Sequence, residues 1–270
     1  MRRGYMAAKV FDGKRAASEI LELVSKRVKK LSFRPKLVSF YNPRDPGSAL
    51  YTRIKKQKAE SVGIEFVGWE IYGVTEAVRE IGDVGGDEGV TGILVQHPTG
   101  EHAYSESDWK ALVEAIPQEK DVDGLRGDSP FVPATVKAIF VALSAAGIEP
   151  AGLKVSVVGA TGMVGRPLVR LLNEKGAKVR EIDENTRDVW FQLKNSDVVI
   201  SAVGKSNLIH GDQLKQGVVV IDVGSPGGDV DFDSARAVAS FITPVPGGIG
   251  PLTVVCLLEN VVEAAEKKNP

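Results

Sequence analysis

The stretch that most restricts what this chain can fold into runs from Val155 to Leu168, reading Val-Ser-Val-Val-Gly-Ala-Thr-Gly-Met-Val-Gly-Arg-Pro-Leu. An apolar, buried-type strand meets glycines at three-residue intervals, Gly159, Gly162 and Gly165, and then passes into an amphipathic helix. A strand that turns this tightly into a helix belongs to a sheet of parallel strands covered by helices. The turn exposes backbone N–H groups, and the helix N-terminus favours an anion, so a nucleotide pyrophosphate is the expected occupant. Gly-x-x-Gly-x-x-Gly is a variant of the usual dinucleotide fingerprint, and the flanking strand and helix carry more weight than the glycines themselves. Arg166 falls in the first helical turn, against the helix dipole, a position that improves if it meets a phosphate.

The rest of the chain repeats the same alternation. Ile20, Leu23, Val24, Val28 and Leu31 share one face of a helix that opens at Asp12, and a second helix is expected from about Ser48 to Val62. Strands are expected at 36–41, 64–69 and 90–96, and again at 154–158, 178–182, 197–202 and 217–222, with a helix over 163–175. The expectation is a two-lobed α/β protein. Residues 1–122 form an α/β substrate lobe, residues 123–251 form a Rossmann-like dinucleotide-binding lobe, and the closing helix within 252–270 returns to the first lobe. The apolar segment Thr135 to Ala146 lies between the halves.

Composition narrows the function classes. Lys and Arg number 34 against 35 Asp and Glu, a formal net charge of −1, so no global field draws in nucleic acid or an anionic membrane. The single cysteine, Cys256, excludes an internal disulfide framework and a multi-cysteine metal site, and three scattered histidines offer no ligand spacing. No metal is expected. The apolar run near the N-terminus is too short for a signal peptide, and no stretch reaches the roughly 18 apolar residues of a membrane span. A reducing, cytoplasmic setting is the expectation.

Thr243-Pro-Val-Pro-Gly-Gly-Ile-Gly-Pro-Leu-Thr253 is uncharged and dense in Pro and Gly, and reads as neither a stable helix nor a central strand. Fixed φ at the prolines and free φ at the glycines suit a rigid wall that a flat ligand can approach closely; an ordinary loop is the alternative. Tyr51 and Lys55 lie four apart on one helix face, where burial would bring the lysine towards a useful proton-transfer range. Lys55, Lys56 and Lys58 also read as a solvated basic face. Gln96 ends an apolar strand, at the carboxyl end that lines the ligand crevice of parallel sheets. Asp121 and Asp123 fall in a charged turn that could be turn chemistry alone.

Read in order, Asp12-Gly-Lys14, Ser48-x-x-Tyr51-x-x-x-Lys55, Gly92-Ile-Leu-Val-Gln96, Lys120-Asp-Val-Asp-Gly124, Val164-Gly-Arg-Pro167, Ser201-Ala-Val-Gly-Lys205, Ile221-Asp-Val-Gly224, Gly228-Asp-Val-Asp-Phe232 and the Pro/Gly run closely resemble the bifunctional methylenetetrahydrofolate dehydrogenase/methenyltetrahydrofolate cyclohydrolase family. The resemblance spans nearly the whole chain. It implies a homodimer of two-lobed subunits, with a tetrahydrofolate derivative in the cleft and a nicotinamide cofactor on the second lobe. Hydride would leave 5,10-methylenetetrahydrofolate for the nicotinamide, and water would open the methenyl product to 10-formyltetrahydrofolate. By resemblance, Lys55 is the proton-transfer group, Tyr51 stacks on the folate, Gln96 holds Lys55, and Asp123 binds the pterin's donor edge. Pro246, Gly247 and Gly248 would lie near the substrate. Cofactor contacts would come from Gly159, Ala160, Thr161, Gly162, Val164, Gly165, Arg166, Asp183, Glu184, Ala202, Val203, Gly204, Gly224 and Thr253. A dehydrogenase that has lost the cyclohydrolase, and a binding module without turnover, are the alternatives; intact Tyr51, Lys55, Gln96 and Asp123 speak against both.

The chain departs from the family pattern in several places. The family's Pro-Cys-Thr-Pro is Pro133-Ala-Thr-Val136, and the stretches from Gly124 to Pro133 and from Gly224 to Asp229 are short. Its Gly-Arg-Ser in the phosphate loop is Gly159-Ala160-Thr161, and its His-Ser after the second strand of that lobe is Asp183-Glu184. The last two changes remove expected partners of a 2′-phosphate, and acidic residues there favour the 2′-hydroxyl of NAD. Family resemblance favours NADP. NADP is the expectation, with NAD as the alternative.

Overall fold

The computed structural model describes residues 8–98 and 102–268. In chain order the elements are β1 (Lys9–Val10), α1 (Gly13–Val28), β2 (Lys36–Tyr41), α2 (Pro46–Ser61), β3 (Glu65–Glu70), α3 (Val74–Gly86), β4 (Gly92–Val95), α4 (Glu106–Glu114) and α5 (Ala134–Ala145). They continue with β5 (Lys154–Val158), α6 (Gly165–Glu174), β6 (Lys178–Ile182), α7 (Val189–Lys194), β7 (Val198–Ser201), β8 (Val219–Asp222), α8 (Phe232–Arg236), β9 (Phe241–Ile242) and α9 (Ile249–Lys268). Two compact units result. One holds Ser18–Ala134 with the chain from Val254 onward, and the other holds the described residues up to Ala17 with Thr135–Thr253.

The first unit is built on a parallel sheet of order β3-β2-β4, with Val38 opposite Val67 on one side and Ile93 on the other. Because side chains alternate between faces along a strand, Val38 and Phe40 of β2 point into one core. There they meet Ile71, Ala77, Ile81, Ile93, Val95, Leu112 and Ile116. The opposite face carries Leu37 and Ser39, both fully buried, and α2 packs along that side of β2 and β3. Gly92 opens β4 with no side chain because a Cβ there would lie 2.6 Å from Val122. α9 returns to this unit, where Arg27 of α1 donates to both carboxylate oxygens of Glu266, at 3.0 and 2.7 Å.

The second unit has a six-stranded parallel sheet of order β1-β9-β8-β7-β5-β6. From β5 the chain moves outward to β6 and then returns to the other side of β5 for β7, so the sheet reverses direction between β5 and β7. That reversal leaves a crevice beyond the carboxyl ends of the strands. The two-lobed α/β architecture and the returning C-terminal helix agree with the sequence expectation.

Several local expectations change. α9 begins at Ile249, so the end of the Pro/Gly run is helical after all. Pro251 lies in the first turn, where its missing N–H would have no intrahelical partner in any case. Leu23, expected on the apolar face of α1, is 56% exposed. The sequence expectation has no counterpart of α3, α7, α8 or the two-residue strands β1 and β9. In α3 the glycines obscure the helical pattern, and Gly85 is bare because a Cβ would lie 2.6 Å from the Pro117 ring.

Candidate active site

The first constellation starts with the cap of α2. Asp45 is extended, and its Oδ2 accepts from the Ser48 backbone N–H at 2.7 Å and from the Ser48 hydroxyl at 2.6 Å, with Pro46 beginning the helix. A side-chain cap fixes where a helix starts and hence which residues its faces present. Lys55 follows on that helix and is 7% exposed, whereas Lys56 and Lys58 are exposed, so only the first of the three turns inward. Lys55 Nζ donates to Gln96 Oε1 at 2.8 Å. Gln96 follows the last residue of β4, and its own backbone N–H donates to the Phe40 carbonyl at 2.7 Å. Tyr51, one turn before Lys55, is 41% exposed.

Asp123 belongs to the same unit and is partly buried. The next residue, Gly124, has φ +71°, and a Cβ there would lie 2.7 Å from the Pro133 nitrogen, so the turn admits only glycine. Asp121 is fully buried and works inside the turn: its oxygens accept from the Leu125 N–H at 3.2 Å and the Arg126 N–H at 2.8 Å. Asn260 of α9 ties the segment down, donating through Nδ2 to the Val122 and Val132 carbonyls, both at 2.9 Å.

Burial penalises charge on both Lys55 and Asp123. It lowers the Lys55 ammonium below its ordinary value, and the nearby Asp123 carboxylate opposes that. It raises the Asp123 carboxyl, with Lys55 pulling it down and Asp121 pushing it up. Both shifts favour the uncharged forms relative to exposed groups. Among the described residues no group of three or more His, Cys, Asp or Glu side chains could hold a metal ion.

The second constellation lies in the other unit. Gly159 has φ +84°, and a Cβ on it would sit 2.6 Å from the Ala202 carbonyl oxygen; a Cβ on Gly165 would collide with the Gly159 carbonyl. The backbone N–H groups of Gly159 and Ala160 donate to the Ile182 carbonyl at 2.9 and 3.2 Å, and that of Gly162 donates to the Gly159 carbonyl at 3.0 Å. The loop therefore brings the N-terminus of α6 close to β5 with Thr161, Gly162 and Arg166 exposed and Val164 partly so, a geometry that fits a phosphate. Asp183, at the end of β6, accepts at Oδ1 from the Asn185 N–H and the Thr186 hydroxyl, both 2.9 Å, while Glu184 is exposed.

Other residues expected to contact the cofactor turn their N–H groups inward. Val203 and Gly204 donate to the Asp229 carboxylate at 2.7 and 2.8 Å, and Gly224 donates to Asp222 Oδ1 at 2.8 Å. Ala202 N–H donates to the Val158 carbonyl at 2.9 Å. In the Pro/Gly run Pro246 is exposed, Gly247 has φ +105°, and Gly248 is buried, with room for no Cβ against the Pro244 carbonyl 2.5 Å away. A Cβ on Gly13 would collide with the Gly248 carbonyl, which gives Asp12-Gly-Lys14 a physical reason: α1 starts directly against this backbone. Thr253 sits in the first turns of α9, its hydroxyl donating to the Ile249 carbonyl at 3.4 Å. Sequence reasoning did not single out Asp45, Asn260, Asp222 or Asp229. For Asn260 a signal existed, a lone amide within the apolar run of the last helix.

Residues 11–123 match the family described as tetrahydrofolate dehydrogenase/cyclohydrolase, catalytic domain, and residues 133–269 match its NAD(P)-binding domain. The bifunctional protein FolD of Moorella thermoacetica is 39% identical over 284 aligned positions, covering 97% of this chain and 100% of that protein. The crystal structure of the bifunctional enzyme FolD from Campylobacter jejuni superposes with a TM-score of 0.89 at 31% identity, over 97% of this chain and 100% of that one. The Trypanosoma brucei FolD structure, described as complexed with NADP cofactor and inhibitor, also gives 0.89, at 30% identity over 97% and 99%. The chain belongs to the FolD family of bifunctional tetrahydrofolate dehydrogenase/cyclohydrolases, enzymes of one-carbon metabolism that combine an NAD(P)-dependent oxidoreductase with a hydrolase.

Proposed function

We propose that Lys55 is the group that moves the proton in the cyclohydrolase step and that Gln96, Tyr51 and Asp123 position the substrate around it. The observation that carries this is the 2.8 Å bond from a buried Lys55 to Gln96 Oε1. Hydrolysis of the methenyl group adds water to the methenyl carbon, and ring opening needs a proton moved from the attacking oxygen to the departing ring nitrogen. An amine whose proton affinity is lowered by burial suits that transfer near neutral pH. Gln96, anchored through its own backbone to β2, restricts where Nζ points. Asp123 is the acceptor for the pterin's N–H edge, a charge-assisted contact that rejects rings lacking those donors. Tyr51 offers an exposed aromatic face one turn away on the same side of α2.

The Gly159–Gly165 loop and the start of α6 would hold the nicotinamide cofactor, which would supply the hydride acceptor for the dehydrogenase step. NADP is the proposed cofactor, supported by the cofactor named for the Trypanosoma brucei relative and by the engagement of Asp183 Oδ1 within its own turn. The enzyme is proposed to act as a homodimer in the cytoplasm; sedimentation giving a single 28.9 kDa chain would reject the dimer.

The test of the site is Lys55→Met. Hydrolysis of methenyltetrahydrofolate should fall by about 10² to 10⁴, the usual scale for losing a positioned acid–base group, while folate binding persists. Normal hydrolysis by the folded variant would refute the assignment.

A further inference from the structure

We infer that Asp229 is a positioning residue for the nicotinamide half of the cofactor, acting through the loop that follows β7. The inference rests on the proposed assignment of Ala202, Val203 and Gly204 to cofactor binding. Asp229 is fully buried, and its carboxylate is bound by that strand and loop. Oδ2 accepts from the Ser201 hydroxyl at 2.7 Å and the Val203 N–H at 2.7 Å; Oδ1 accepts from the Gly204 N–H at 2.8 Å and the Lys205 N–H at 2.9 Å. Three successive backbone N–H groups thus converge on one internal anion. Such a nest would otherwise attract a phosphate, so an internal carboxylate here assigns the loop to an uncharged part of a ligand.

Asp229 is itself held from the other side. Its backbone N–H donates to Asp222 Oδ1 at 3.0 Å, and Asp222 also accepts from the Gly224 N–H at 2.8 Å and the Val230 N–H at 2.9 Å. Asp222 in turn ends β8, and its N–H donates to the Thr243 hydroxyl at 2.7 Å. The carboxylates link the ends of β7 and β8 into one rigid rim. What the rim positions is explicit in the glycine loop. The Ala202 carbonyl lies where a Cβ of Gly159 would be, 2.6 Å from it, and a Val203 methyl group lies 3.2 Å from the same point. Movement of the β7 loop would therefore open or close the crevice at the sheet's point of reversal.

The sheet order fixes which half of the ligand feels this. The acidic turn at Asp183 ends β6, on the adenosine-ribose side of a dinucleotide fold, and β7 lies on the opposite side of β5. Loosening the β7 loop should weaken binding of the nicotinamide half and leave the adenosine half unaffected.

The experiment measures binding of NADP and of its fragment 2′,5′-ADP, and of NAD and its fragment ADP, by calorimetry on the full-length wild type, Asp229→Asn and Ser201→Ala. The amide of Asp229→Asn presents N–H groups to one pair of donors, so dinucleotide affinity should fall at least tenfold while fragment affinity stays within twofold. Ser201→Ala removes one contact without altering the carboxylate and should lower dinucleotide affinity two- to fivefold, again sparing the fragment; it carries the test if Asp229→Asn does not fold. Cyclohydrolase turnover on preformed methenyltetrahydrofolate should stay within twofold in the folded variants. Equal losses for dinucleotide and fragment, or no loss in either variant, would overturn the positioning role. Wild-type protein that binds none of the four ligands would overturn the cofactor assignment beneath it.

Discussion

Lys55 and Asp123 give the site opposite dependences on pH. The folded state lowers the lysine below 10.5 through burial, so between the lowered value and 10.5 the unfolded chain binds more protons, and stability rises with pH through that window. The contribution is complete above 10.5 and is lost as pH falls through the lowered value. Asp123 is raised above 3.8, so its contribution is complete below 3.8 and is lost as pH rises through the raised value. Urea unfolding from pH 7 to 10.5 should therefore show an alkaline gain in the wild type that Lys55→Met lacks; equal slopes in the two proteins would contradict a buried, depressed Lys55. The four-residue spacing from Tyr51 and the family resemblance single out Lys55 in the sequence, but the run of Lys55, Lys56 and Lys58 also reads as a solvated face. It is the structure that shows Lys55 buried with Lys56 and Lys58 exposed.

At the scale of elements, α2 is the device that delivers Tyr51 and Lys55, and its starting point is set by one buried carboxylate. Asp45→Ala removes both bonds to Ser48 and should cost about 0.5–2 kcal/mol, as cap deletions do. It should also raise the KM for folate substrate, since fraying the first turns loosens the face that carries both residues. Unchanged urea midpoint and unchanged KM would show that the cap has no such role. The regular elements were legible where one period dominates: β2 and β5 as apolar runs, α6 as an amphipathic helix after glycines. α3 was not, because Gly82, Gly85 and Gly86 mask its buried Ala77 and Ile81. The start of α9 is masked for a related reason. Proline and glycine usually mark loops, yet the first helical turn is where a proline does no harm. Asp222 and Asp229 fall within the family-like motifs, but nothing in their order along the chain says that two acidic residues are buried and saturated with backbone donors.

For the whole molecule, likeness along nearly the entire chain and one acidic turn pull towards different cofactors. Asp183 and Glu184 follow β6 where a carboxylate usually bonds the ribose 2′-hydroxyl and repels a 2′-phosphate. The structure weakens that objection locally, since Asp183 Oδ1 is already engaged by Asn185 and Thr186, and Arg180 and Arg187 flank the same turn. A guanidinium turned towards the ribose would give a 2′-phosphate a bidentate partner that an exposed Glu184 does not cancel at moderate salt. The expected outcome is a higher kcat/KM for NADP than for NAD, with the advantage shrinking as ionic strength rises, because it rests on exposed charges. Asp183→Asn should then improve NADP use severalfold and leave cyclohydrolase turnover unchanged, as Lys55, Gln96 and Asp123 belong to the other unit. Steady-state kinetics with both cofactors at low and moderate salt decide the matter: a kcat/KM for NAD at least tenfold above that for NADP would show that the Asp183 carboxylate governs the choice and that the arginines do not reach the 2′ position.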